Sequence, residues 1–100
     1  MTNIEELKSK HAGVEIYTLT VNNRQGAPLT VYLREMDRLA YKTVSALIAK
    51  DELMGVESFL RTLCVDGDVN AIINDFKALR SAARTILPML ESEAGELKKN

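Results

Sequence analysis

The stretch that decides the fold is VYLREMDRLAYKTVSAL, residues 31–47. Up to Arg34, apolar and polar residues alternate, which is the period of a β-strand with one buried face. Beyond Arg34 the apolar residues recur every three or four positions, as they do on one face of an α-helix. Strand and helix periods therefore follow one another without mixing, and this segregation predicts an α+β fold.

The residues before this change of period predict a β-hairpin. Residues 14–21 are rich in β-branched and aromatic side chains, and residues 29–35 alternate cleanly. Between them, NNRQGAP at 22–28 has the composition of a turn. The apolar residues of the first strand occupy both faces, which requires either a bulge or cover on both sides.

Four helices are expected around the hairpin, each marked by an apolar stripe at helical spacing. Their ranges are 2–11, 37–50, 52–65 and 69–92. Thr2, Asp37 and Asp51 stand where the N-caps of the first three belong. The last helix is expected to be one continuous segment, kinked or ended by Pro88.

The whole chain is expected to form one domain, since 100 residues can fold without disulfides or metals. The expected architecture is α+β: a short N-terminal helix, a β-hairpin and then three helices packed as a small bundle. This domain covers residues 1–92. Residues 93–100 are expected to form a polar C-terminal tail.

Composition and charge exclude several classes of protein. The chain has 13 basic and 14 acidic residues and a net charge of -1, which counts against nucleic-acid binding. The single cysteine, Cys64, excludes an internal disulfide and fits a reducing compartment. The amino terminus has no apolar run, and no stretch reaches the length of a membrane span. We expect a cytoplasmic protein that does not bind membranes.

The segment LCVDGDVNAI raises the question of a metal site. Asp66, Asp68 and Asn70 alternate like the first ligands of an EF-hand calcium loop. Such a loop needs Gly at its sixth position and Glu at its twelfth. Counted from Asp66, these positions hold Ala71 and Lys77. We therefore expect no metal here.

A turn between two helices accounts for the same residues. Gly67 is expected to adopt the left-handed conformation that ends the second helix of the bundle. Asp68 is expected to cap the helix that follows. Gly67 and Asp68 are thus predicted to be a structural turn.

No catalytic set is visible in the sequence. His11 is the only histidine and has no partner at a meaningful spacing. Cys64 lies on an apolar stripe, where a cysteine acts as a small hydrophobe. Lys77, Arg80 and Arg84 share one helical side, which indicates a solvated face or, alternatively, a patch for an acidic partner. We expect no catalytic residues, no enzyme activity and no cofactor.

The functional prediction therefore rests on the surfaces that the protein exposes. An isolated hairpin has two open edges. Tyr17 and Tyr32 are expected on the hairpin face that points away from the apolar residues of the second strand. Tyr17, Leu19 and Tyr32 are the predicted partner-binding residues, and we expect a homo-oligomer.

The order of segments resembles a known family. A hairpin ending VYLREMDR is followed by YKTVSAL, the acidic helix start DELMGVESFLRTL, the turn GD and the ending GELKKN. This layout is similar to that of the small tail assembly chaperones of long-tailed bacteriophages and prophages. The resemblance covers about residues 14–100. Its most telling pieces are Leu33 to Arg38, Gly67–Asp68 and Gly95–Asn100.

The resemblance implies a non-enzymatic protein of a bacterial host. Members of that family bind the long, apolar, helical tape measure protein before the tail tube polymerises around it, and many oligomerise. The implied partner is thus a tape measure protein. The alternative is a small oligomeric scaffold or interaction protein with another partner. A weaker alternative is a DNA-binding regulator.

Overall fold

The chain folds as an α+β protein. The computed structural model describes residues 4–11 and 13–94, with side chains as far as residue 90. Thr2 and the ending GELKKN lie outside the described residues. The elements, in chain order, are α1 (Ile4–Lys10), β1 (Ile16–Asn22), β2 (Pro28–Arg34), α2 (Arg38–Lys50), α3 (Glu52–Leu63), β3 (Cys64–Gly67), α4 (Val69–Ile73) and α5 (Phe76–Ala94). The predicted class and the order of N-terminal helix, hairpin and helices are confirmed.

A three-stranded antiparallel sheet takes the place of the isolated hairpin, with β2 between β1 and β3. The register of β1 and β2 is continuous, so neither strand contains a bulge there. Leu19 lies opposite Val31, and Tyr17 lies opposite Leu33. Directly opposite residues in an antiparallel pair share a face. One face of the sheet is therefore apolar and needs cover.

The helices α3 and α5 provide that cover. They pack on each other, α3 also contacts β2, and α5 contacts β1. Side chains at most 1% exposed come from both layers and include Val31, Val44, Val56, Phe59, Leu60, Leu63, Ile72 and Ile86. The sheet and the helices thus form two layers around one core.

Local hydrogen bonds define where α2 and α3 begin. The Asp37 carboxylate accepts from the Ala40 N–H at 2.8 Å, and the Asp51 carboxylate accepts from the Met54 N–H at 3.0 Å. Both predicted N-caps are confirmed. Asp51 is also the single residue between the two helices, so α2 and α3 form a tight helical hairpin.

Gly55 lets these two helices approach closely. A Cβ atom at this position would lie 2.7 Å from the backbone nitrogen of Ile48 and 2.8 Å from its Cα. Main-chain atoms cannot move aside as a flexible side chain can. The contact between α2 and α3 therefore depends on the missing side chain.

The prediction of one continuous helix at 69–92 is wrong. The segment divides at Asn74 and Asp75 into α4 and the longer α5. The Asp75 carboxylate accepts from the Ala78 N–H at 3.1 Å, which starts α5, and from the Arg24 N–H at 3.1 Å, which lies in the hairpin turn. The break allows one carboxylate to join two distant segments. Beyond it, α5 continues past Pro88.

The predicted turn at Gly67 and Asp68 also needs correction. Gly67 does have a positive φ of 111°, but it ends strand β3 rather than a helix. Asp68 precedes α4 but makes no side-chain capping bond. Its carboxylate accepts from the Thr30 N–H at 3.3 Å, and its own N–H donates to the Thr30 carbonyl at 2.8 Å. The Asp68 N–H and carboxylate thus bond to Thr30 of β2. In a turn between two helices, they would have bonded to nearby residues of the chain.

Replacing Gly67 tests this close approach of β3 to β2. A Cβ atom at position 67 would clash with the Thr30 carbonyl oxygen and lie 2.7 Å from the Val31 Cα. Gly26 also has a positive φ, 84°, but has no atom within 4 Å of such a Cβ. We expect Gly26→Ala to lower the free energy of unfolding by about 1 kcal/mol, and Gly67→Ala by about 2–4 kcal/mol. Equal losses in urea melts would contradict the close approach.

Asp75 predicts a pH dependence of stability. The N–H groups of Arg24 and Ala78 favour the charged carboxylate and hold the pKa of Asp75 below its ordinary value. A depressed pKa in the folded state adds stability above the ordinary carboxyl pKa, and that stability is lost as the pH falls through the folded-state value. We expect Asp75→Asn to be less stable at pH 7 and to lose less stability than the parent on acidification below about pH 4. If the urea midpoints of Asp75→Asn and of the parent changed with pH in parallel, the hydrogen bonds to the Asp75 carboxylate would not stabilise the fold.

Candidate protein-binding site

The structure separates the three predicted partner-binding residues. Tyr17 and Leu19 lie on the apolar face of the sheet, opposite Leu33 and Val31. Tyr32 pairs with Thr18 and belongs to the other face. The prediction that Tyr17 and Tyr32 share a face is therefore wrong. Leu19 is buried at 8% exposure and is part of the core.

Tyr17 keeps 45% of its surface exposed, although Leu19 and Val21 on the same face of β1 are buried. Its side chain borders a pocket between the hairpin and α5, with a volume of about 180 Å³. We call this the sheet-end pocket. It is lined mainly by apolar side chains, with Arg34, Glu35 and two threonines among the others: Tyr17, Thr18, Leu19, Leu33, Arg34, Glu35, Met36, Phe59, Leu63, Thr85, Ile86 and Met89. Apolar cavities near this size hold a benzene-sized molecule.

A larger, more open groove runs between the start of α3 and one side of α5, with a volume of about 480 Å³. We call it the α3–α5 groove. It is lined by Glu52, Leu53, Phe76, Arg80, Ala83, Arg84, Leu87 and Pro88. The Phe76 ring is 64% exposed, and the Arg80 guanidinium carbon lies 5.7 Å from its centroid. Aromatic residues and arginine are enriched in the cores of protein interfaces.

In one continuous helix over residues 69–92, Phe76 would follow Ile72 by four positions and extend its buried stripe. The break at Asn74 and Asp75 redirects the chain, so the first turn of α5 does not extend the apolar face of α4. Arg80 and Arg84, expected on a solvated side, follow Phe76 at intervals of four and line the same groove. This spacing of four is the feature of the sequence that could have indicated the surface.

A third apolar feature lies on α2. Leu39, an apolar residue of α2, is 73% exposed. Arg38, Tyr41, Lys42 and Ser45 line the shallow surface around it. The buried side of α2 is instead formed by Ala40 and Val44. Leu39 therefore matches Phe76 in exposure while lying on another helix, which makes it a useful control.

In the segment that resembles a calcium loop, each of the three candidate ligand side chains accepts a hydrogen bond from another group of the protein. Asp66, Asp68 and Asn70 accept hydrogen bonds at 2.8, 3.3 and 3.2 Å, respectively, from the N–H of Gly67, the N–H of Thr30 and the guanidinium of Arg61. These bonds direct the three side chains to separate donors. Among the side chains that the structure describes, no group of three or more His, Cys, Asp or Glu residues is placed to hold a metal ion.

Cys64 is half-buried at the start of β3, and its Sγ donates to the Asp66 carbonyl at 3.3 Å. Burial raises the pKa of the Cys64 thiol. The thiol is therefore protonated at neutral pH, whereas a nucleophilic cysteine requires the thiolate.

Comparison with protein-family models, with curated proteins and with solved structures finds no match to this chain. Within the part of the chain that the structure describes, no helix has both the length and the apolar character needed to cross a membrane.

The exposure of Phe76 can be tested by truncation. Phe59 is 1% exposed, and Phe59→Ala should lower the free energy of unfolding by about 3–5 kcal/mol because it opens a cavity in the core. Phe76→Ala should cost less than about 1 kcal/mol, because it removes mainly a surface contact with Arg80. Chemical denaturation measures both changes. A loss at Phe76 as large as at Phe59 would mean that Phe76 belongs to the core.

Proposed function

We propose that this protein binds a helical, largely apolar segment of another protein and keeps that protein soluble during assembly. The resemblance to phage tail assembly chaperones suggests the tape measure protein as the partner and the cytoplasm of a bacterial host as the location. The observation that supports the proposal most directly is the α3–α5 groove, with Phe76 exposed along one side.

The groove is long enough for a helix to lie along α5. From Phe76 to Pro88, α5 extends about 18 Å at the helical rise of 1.5 Å per residue. That length spans about three turns of a partner helix. Amphipathic helices bind such grooves through apolar residues spaced three and four apart. An apolar segment of a long helical protein meets this requirement.

The polar residues of the groove frame its apolar floor. Arg80 and Arg84 lie on the α5 side, and Glu52 lies on the α3 side. A polar rim around an apolar centre is the usual arrangement of protein interfaces. The chain as a whole is nearly neutral, with a net charge of -1. Affinity for a protein partner should therefore change little with salt, whereas affinity for DNA falls steeply.

The proposed role is binding without catalysis and without a cofactor. The raised pKa of the Cys64 thiol argues against a nucleophilic role for that residue. A scaffold for a different protein would use the same groove, and only the partner would differ. Gene order can distinguish the chaperone from such a scaffold, because a neighbouring tape measure gene would favour the chaperone.

The direct test is co-expression with the tape measure protein of the same genome. We expect the soluble fraction of that protein to rise and the two to co-purify. Phe76→Glu should weaken binding at least about tenfold, as loss of an aromatic anchor does. Leu39→Glu, at a comparably exposed leucine on α2, should leave binding unchanged.

Two results would contradict the proposal. The first is a tape measure protein that stays equally insoluble with and without this chain and does not co-purify. The second is tight, salt-sensitive binding of DNA, which would favour the regulator instead.

A further inference from the structure

Strand β1 is an edge strand without the usual protection. Its sequence, IYTLTVN, contains no charged residue and no proline. Natural edge strands carry such residues because unpaired backbone groups attract other strands. Five of the seven residues have high β-propensity, so β1 forms a surface at the sheet edge that favours pairing.

The bonding pattern shows which backbone groups face that open edge. The Asn23 N–H donates to the Ala27 carbonyl, and the Glu35 N–H donates to the Glu15 carbonyl. In an antiparallel pair such bonded positions recur at every second residue. The odd-numbered residues of β1 therefore bond to β2. The even-numbered residues direct their N–H and C=O groups outwards, and they are Ile16, Thr18, Thr20 and Asn22.

We propose that β1 pairs with β1 of a second copy of this chain, antiparallel, about a twofold axis at Leu19. The two three-stranded sheets then become one continuous sheet. Leu19 is the central residue of the strand, so this register pairs every residue of β1. Thr18 lies opposite Thr20 of the second copy, and Tyr17 lies opposite Val21 of the second copy.

Two requirements select this register. The outward-facing even-numbered residues must pair with one another, which excludes any shift by one residue. A shift by two would leave the strand ends unpaired. The chosen register also keeps apolar residues on one face of the joined sheet, because Tyr17, Leu19 and Val21 all lie on the apolar face.

Side chains on both faces gain contacts in this arrangement. Tyr17, 45% exposed in one copy, is covered by Val21 and its neighbours in the other. On the opposite face, the Thr20 and Thr30 hydroxyl oxygens are already 3.0 Å apart. Thr18 of the second copy extends this row of threonines, and cross-strand threonine pairs stabilise sheets.

Charge favours a second copy as the occupant. In a self-paired antiparallel strand, any charged residue near the axis meets its own kind, and like charges opposite each other destabilise the pair. The neutral sequence of β1 avoids this repulsion. The β1 edge shares no residue with the α3–α5 groove. The inference therefore stands apart from the proposed function.

Cysteine pairing tests the register. On a Cys64→Ser background, we expect an interchain disulfide when Thr18→Cys protein is mixed with Thr20→Cys protein under mild oxidation. Opposite residues with outward bonds have Cα atoms about 5.5 Å apart, within disulfide range. Either protein alone should cross-link far less, because Thr18 of one copy is about 7–8 Å from Thr18 of the other. Equal cross-linking by each protein alone would overturn this register.

Light scattering tests the dimer itself. We expect a mass of twice 11.1 kDa at micromolar concentration. Thr18→Lys combined with Thr20→Lys should weaken the dimer at least about tenfold by placing like charges opposite each other. Thr43→Lys, at an exposed site on α2, is the control and should not change it. A mass that stays at 11.1 kDa at high concentration, or a dimer indifferent to the double substitution, would overturn the proposal.

Discussion

The fold depends on covering one apolar face of a small sheet. A two-stranded hairpin exposes too much backbone and apolar surface to be stable alone. Here β2 acquires a neighbour on each side, and its residue Val31 is completely buried. The helices α3 and α5 close the core by packing on each other and on the sheet.

Two tight contacts hold the layers in place. Gly67 brings β3 against the backbone of Thr30 and Val31, which adds the third strand. Asp75 joins the hairpin turn to the start of α5 through the N–H groups of Arg24 and Ala78. The same break that frees Asp75 for this role turns Phe76 outwards. The α3–α5 groove is thus a consequence of how the sheet and α5 are joined.

The two surfaces differ in chemistry, and this difference suits different partners. The β1 edge is neutral and nearly symmetric about Leu19, which suits an isologous contact between identical copies. The α3–α5 groove carries two arginines against one glutamate around an apolar floor. The partner proposed for that groove is a helical segment of a different protein. The two proposed contacts, self-association at the β1 edge and partner binding at the α3–α5 groove, share no residue.

The sequence by itself determined the α+β class, the hairpin and the N-caps Asp37 and Asp51. These features rest on periodicity and on bonds between residues three apart. Only the tertiary structure decided that Cys64–Gly67 is a strand, because its partner β2 lies over 30 positions earlier in the chain. It also decided the exposure of Phe76, and it placed Tyr17 and Tyr32 on opposite faces. Pairing register and helix direction depend on long-range burial and hydrogen bonding, which no local pattern encodes.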